Sequence, residues 1–199
     1  MFKKQLISVC LSVSLILSVA ATNSLAADRY TLDPAHTTVA FLIDHVGYAK
    51  TLGLFTETSG SFSFDQASNT VSDIVIAVKT ASVNTANEAR DKHVRNKDFL
   101  NVSKYPEMTF FAESATIDEN GIGKIEGLLT LLGQEKPLVL NVSLNKAEKY
   151  PFGHKRFTLG ISANGDLLRS DYGMDYGVAN ALVGDTVSLV IETEAMQDK

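Results

Sequence analysis

The chain has 199 residues with 18 basic and 23 acidic side chains, and its only cysteine, Cys10, lies close to the amino terminus. An acidic balance without a basic patch argues against nucleic-acid binding and against electrostatic docking on anionic lipid heads. The lack of any later cysteine excludes disulfide stapling, a cysteine-ligated metal and a cysteine nucleophile.

Met1-Phe2-Lys3-Lys4 and the uncharged apolar run from Leu6 to Ala21 have the form of the positive and hydrophobic regions of a signal peptide. Ser24-Leu25-Ala26 supplies small residues for cleavage after Ala26. The apolar run is shorter than the ~20 residues of a membrane span, so a cleaved leader is expected in preference to an anchor. Residues 1–26 are then the leader, and 27–199 one domain without a membrane span, in the periplasm. The exported part keeps 16 basic and 23 acidic residues, a net charge of −7. No repeat or proline-rich linker divides it.

Most of the exported part alternates with period two, the mark of strands with one buried face. Val39, Phe41 and Ile43 place a first strand at 37–45. A second begins near Gly53, ends on Phe62 and Phe64, and is expected to bend at Gly60. Ile74, Ile76 and Val78 mark a third. Met108, Phe110 and Ala112 form a fourth, after which Asn120-Gly121 suggests a tight turn with two positive φ angles. A fifth strand, Lys124 to Leu132, is apolar on both faces. Gly133 to Pro137 is read as a turn, followed by a sixth strand with Leu138, Leu140, Val142 and Leu144. Phe157, Leu159, Ile161 and Ala163 give a seventh, and Val187, Leu189 and Ile191 an eighth. Eight strands joined by short turns predict an all-β, eight-stranded antiparallel barrel, since closure removes exposed sheet edges.

Asn84 to Leu100 breaks the alternation with helical spacing. Thr85 with Glu88 reads as a capping box, and Glu88 with Lys92 as an i,i+4 pair. One short helix is therefore expected between the third and fourth strands. It carries Arg90, Asp91, Lys92 and His93, with Arg95 and Lys97 beyond. Arg90, His93 and Arg95 could form a polar mouth for a phosphate or other head group; a solvated helix face with local ion pairs explains the same charges. His45 shares the parity of Val39, Phe41 and Ile43, which directs its imidazole to the buried face. His36, after Asp33-Pro34, reads as a turn-locking residue, and His154 receives no role. Neither a nucleophile elbow nor a phosphate-binding glycine loop occurs. Arg169 and Asp171 stand in a long connection, available to the helix cluster or to ordering their own loop.

Tyr30-x-Leu-Asp33-Pro-Ala-His36 precedes a strand with Phe41 and His45. Gly53-x-Phe55, Arg90-Asp91-x-His93-x-Arg95 leading into Asp98-Phe99, Tyr105-Pro106, Gly127-Leu-Leu-Thr130 and Arg169-x-Asp171-x-Gly173-Met174 follow in order. From about Tyr30 to Ala195 the chain resembles the YceI-like family of periplasmic polyisoprenoid-binding proteins. The resemblance implies a lipocalin-like barrel whose interior binds a long isoprenoid or similar amphiphilic lipid. It implies a wall formed by Phe41, Phe55, Phe64, Ile76, Phe110, Leu129, Leu140 and Ile161. His45, Arg90, Asp91, His93 and Arg169 would be polar groups near a head group or pocket end. A non-catalytic carrier without a cofactor is the expectation, and a homodimer is compatible with it. An enzyme using His45 or His93 as general base, or an envelope interaction protein with a packed core, are the alternatives. Alternation alone leaves the last one open, because an eight-stranded barrel can be filled by its own side chains.

Overall fold

The computed structural model describes residues 27–199, so the expected leader and its cleavage point lie outside the described residues. The described residues form ten strands: β1 (Asp28–His45), β2 (Ala49–Phe55), β3 (Thr58–Asp65), β4 (Thr70–Lys79), β5 (Val83–Asn84), β6 (Glu107–Thr116), β7 (Ile122–Leu131), β8 (Gln134–Lys149), β9 (Phe157–Leu168) and β10 (Val183–Gln197). One helix, α1 (Glu88–Val94), stands between β5 and β6. All strand pairs are antiparallel, and the order β10-β9-β8-β7-β6-β4-β3-β1 closes through a β1–β10 ladder. Eight strands thus form the barrel, as the alternation predicted, and β2 and β5 extend from β1 at one end.

β1 explains both the closure and the extension. Its 18 residues are too many for one antiparallel partner of ordinary length, and on one edge it pairs first with β3 (Asp28 to Thr31) and then with β2 (Val39 to His45). On the other edge it pairs with β10 over its whole length, interrupted by a bulge between Leu32 and Thr37. The strand expected over 37–45 begins at Asp28, and Asp33-Pro34-Ala35-His36 does not end it. The four residues are a bulge within one long strand. Asp33 Oδ1 accepts from the Ala35 amide at 2.9 Å, and His36 Nδ1 lies 2.8 Å from Asp33 Oδ2. His36 therefore locks the turn as expected. The shared hydrogen bond lowers the Asp33 pKa and raises that of His36.

The expected second strand is two strands, and its break is at Thr56–Glu57 instead of Gly60. Ser82 holds that break: its carbonyl accepts from the Thr56 amide and its hydroxyl from the Glu57 amide. Two expected turns also differ. At 118–122 only Gly121 takes a positive φ, +80°, while Asp118 accepts from the amides of Asn120 and Ile122, so an Asp-capped turn replaces the symmetric hairpin. Between β7 and β8 the turn is Leu132–Gly133 alone. Pro137 lies inside β8 opposite Leu128, where β8 has not yet begun to pair with β9 at Asn141, and its missing N–H removes no bond from that second ladder.

Inward side chains of the barrel make one apolar cluster, with Tyr30 fully buried and stacked on Phe62 at 5.7 Å between ring centres. Gly127 marks a tight strand contact on the wall. A Cβ there would lie 2.4 Å from Phe110 Cζ and 2.5 Å from the Phe111 carbonyl oxygen. Gly160 has 3.8 Å to its nearest neighbour and a negative φ. Gly127→Ala is expected to lower stability in urea unfolding by about 1–3 kcal/mol, the usual cost of overpacking. Gly160→Ala is expected to stay within about 0.5 kcal/mol of the parent.

Candidate ligand-binding site

The barrel interior holds two chambers. The inner one, about 180 Å³, is lined by aliphatic and aromatic side chains of the barrel strands together with Thr37, Thr58 and Thr193. Thr37 and Thr193 spend their hydroxyls on each other, at 2.6 Å, and on backbone carbonyls, which leaves their methyl groups for the wall. The second chamber, about 530 Å³, lies at the helix end, between β1, β2, α1 and the connection from β9 to β10. Met108, Leu167 and Leu189 line both, so the chambers meet across these three side chains. The interior is therefore not filled by its own side chains.

The expected wall residues divide between the chambers. Phe64, Ile76, Phe110, Leu129, Leu140 and Ile161 line the inner one; Phe41 and Phe55 line the helix-end one, with ring centres 5.7 Å apart. Of the expected polar groups, His45, Arg90, His93 and Arg169 line the helix-end chamber. Asp91 lines neither. Its carboxylate is buried and accepts from the amide and hydroxyl of Thr85 at 2.7 and 2.6 Å, so it is a structural anchor of the helix and is corrected as such. His45 is corrected in depth only: it keeps the parity of Phe41 and Ile43, since the β1–β2 register runs unbroken to it and the extra residues of the shift lie on β10, but at the strand's end it is exposed at the rim.

Thr85 is the hinge of the helix cluster, and not its cap. The cap is Asn87, whose side chain accepts from the Arg90 amide, because a positive φ at Ala86 turns the chain between Thr85 and the helix. Arg90 donates to the hydroxyl and carbonyl of Thr85, and Arg95 donates to the carbonyls of Ala81 and Val83. Neither sequence reading of this cluster is complete. Its charges chiefly staple the helix to the backbone of residues 81–85, while Arg90 and His93 still face the chamber. The helix spans seven residues; apolar spacing continues to Leu100 because Val94, its last residue, and Phe99 and Leu100, in the turns that follow it, all pack on the core.

Arg169 fixes the opposite wall. It is fully buried and donates to the carbonyls of Gly184 (2.7 Å), Met174 (2.6 Å), Tyr176 (2.8 Å) and Val183 (2.9 Å). A planar guanidinium with five donors can hold four carbonyls at once, which an ammonium cannot. Burial lowers its pKa, and the charges of Asp185 and Asp175 oppose that effect. Asp185 instead accepts from the amide and hydroxyl of Ser170. Arg169 also lies 5.8 Å from the centre of the Phe99 ring. Above it, His93, Phe99 and Tyr176 make three mutual ring contacts at 5.0–5.2 Å, joining the helix side of the mouth to the 173–182 loop. Tyr176 and the dividing residues Met108, Leu167 and Leu189 escaped the sequence reading. Tyr176 sits in a loop without periodicity, and parity marks the other three only as inward.

Arg169→Met strands several buried carbonyls, each costing about 1–3 kcal/mol. Loss of at least about 3 kcal/mol in urea unfolding and faster amide hydrogen exchange across residues 174–184 are the expected outcomes. Arg169→Lys restores little of either.

The YceI-like domain model matches residues 30–195. A UPF0312 protein of Shewanella baltica strain OS185 is 38% identical over 196 residues, covering 96% of this chain and 97% of that protein. A UPF0312 protein of Pseudomonas savastanoi pv. phaseolicola is 35% identical over 201 residues and covers both chains completely. Among solved structures, the YceI protein of Campylobacter jejuni has a TM-score of 0.71 at 32% identity, covering 78% of this chain and 90% of that one. Burkholderia cenocepacia BcnA has a TM-score of 0.73 at 19% identity, with 83% and 99% covered, and shares the fold. The same holds for a polyisoprenoid binding domain from Saccharophagus degradans, with a TM-score of 0.57 at 16% identity and 85% and 98% covered. With the domain model spanning nearly the whole barrel and full-length relatives above 30% identity, the chain belongs to the YceI-like family.

Proposed function

We propose that this protein is a periplasmic carrier that holds a long apolar chain, an isoprenoid or similar amphiphilic lipid, through both chambers with its polar end at the helix end. The observation that carries the reading is the pair of contiguous chambers: an apolar inner one, and a wider one that adds Arg90, His93, Arg169 and the rim residue His45. The signal-peptide form of residues 1–26 supports export. The solved Saccharophagus degradans domain, described as polyisoprenoid binding, supports the ligand class through a shared fold.

The volumes set a scale. An engineered apolar cavity of about 150 Å³ takes one benzene ring. By that measure chambers of about 180 and 530 Å³ hold roughly 25–30 carbon atoms, on the order of five isoprene units. Each methylene buried contributes ~0.8 kcal/mol, offset by the cost of association and of ordering a flexible chain. Affinity then comes from the chain, and orientation from the cationic groups at the helix end. No step of this function needs a catalytic group.

Two experiments test it. Organic extraction of protein purified from its native envelope, followed by mass spectrometry, is expected to yield a prenyl or similarly long lipid in stoichiometric amount. In a binding series with prenyl alcohols of increasing length, affinity is expected to rise up to about 25–30 carbons and then level off. Met108→Trp, which fills the junction between the chambers, is expected to bring the plateau to a shorter chain without loss of fold. A lipid-free protein with no length dependence contradicts the proposal.

A further inference from the structure

A second cluster of chemistry-bearing side chains lies away from the helix-end mouth. Asp33 and His36 stand in the bulge of β1 between Leu32 and Thr37. On β10, the partners of Leu32 and Thr37 are Ala195 and Thr193, which places Glu194 opposite that bulge. The barrel's closing seam thus brings together an imidazole and two carboxylates. His36 Nδ1 lies 2.8 Å from Asp33 Oδ2 and 3.6 Å from Glu194 Oε2. One ligand atom from each of the three residues falls within 4.8 Å of the others. Two ligands held at about 2.0–2.1 Å on a tetrahedral ion are about 3.3 Å apart. The separations from His36 bracket that value, so small side-chain adjustments bring the three atoms onto one ion.

Burial and charge point the same way. Glu194 Oε2 is buried and has no hydrogen-bond partner of good geometry among the described residues, an arrangement that is costly for a carboxylate oxygen. The Tyr150 phenol is a neighbouring hydrogen-bonding group of the Glu194 carboxylate. Among the described residues no lysine or arginine forms an ion pair with Asp33 or Glu194; His36 is the partner of both. The Asp33 side chain is 13% exposed and that of Glu194 31%, whereas His36 is 53% exposed. The acids are sheltered and the imidazole side is open, which provides an entry path and room for a water ligand. Asp33 is also held from behind, since its Oδ1 accepts from the Ala35 amide, the kind of support that orients a metal-binding carboxylate.

We infer that Asp33, His36 and Glu194 form a binding site for a first-row divalent transition metal such as zinc, completed by solvent, that pins the bulge of β1 to β10. One nitrogen and two carboxylate oxygens suit a borderline ion of this class. The site does not depend on the lipid reading. It is separated from the helix-end mouth, although Leu32, Thr37 and Thr193, which flank it in sequence, line the inner chamber.

The test uses the exported protein without a histidine tag, stripped with a chelator and titrated with zinc chloride by calorimetry and with cobalt chloride by visible absorption. One ion per chain at micromolar affinity, cobalt bands of a low-coordinate N/O site and a rise in Tm that saturates at one equivalent are expected. His36→Ala and the near-isosteric Glu194→Gln are each expected to weaken zinc by at least about tenfold and to abolish the Tm rise. His154→Ala, on the neighbouring hairpin, is expected to leave both intact. Zinc binding weaker than millimolar, or binding unchanged in Glu194→Gln, overturns the inference. So does binding lost in His154→Ala but kept in His36→Ala.

Discussion

Closure of the sheet through the β1–β10 ladder is the constraint on which the remaining structure depends. An open sheet with these alternating faces would leave one apolar surface in water and two unpaired edges. Closed, the same surface becomes an interior. β1 carries the closure by itself, since it pairs with β10 on one edge and with β3 and then β2 on the other. The bulge at Asp33–His36 and the irregularity before His45 divide the ladder into three parts. The first places Asp33 and His36 across from Glu194, and the second inserts its extra residues into β10 opposite the end of β1.

The ends of the barrel are treated differently. At the helix end the wall depends on polar groups that bind backbone: buried Asp91 on Thr85, half-buried Arg95 on residues 81–83, and buried Arg169 on the loop before β10. These bonds hold irregular segments in place without filling the space between them with apolar side chains. A wide chamber therefore persists beside a loop and a two-turn helix. The inner chamber is bounded by strands alone, and its smaller volume follows from large side chains such as Phe62, Phe64 and Phe110 projecting from facing walls.

Much of this was legible in the sequence. Period-two alternation located most of the barrel strands, although it ran β2 into β3, missed the first half of β1 and was absent from β7, and Phe64, Ile76, Phe110, Leu140 and Ile161 face inward as their parity required. Parity gives direction and not depth, however: His45 shares the parity of Phe41 and Ile43 but stands at the strand's end, where solvent reaches it. The short helix is where it was expected, but the helical spacing runs on past its end to Leu100, because Phe99 and Leu100 have apolar spacing that tertiary packing uses without helical backbone. Asp91 and Arg169 were recognised as notable, but which atoms they bind depends on residues brought close only by folding. Whether the interior is hollow was not legible at all, since parity gives the direction of a side chain and not the distance to the opposite wall.

Crystallography of protein taken from its native envelope at high resolution tests the central claim most directly. Continuous elongated density running from beside Arg169 past Met108, Leu167 and Leu189 to Phe64 is the predicted result. An interior closed by rearranged side chains, or two chambers holding only ordered water, would contradict the account.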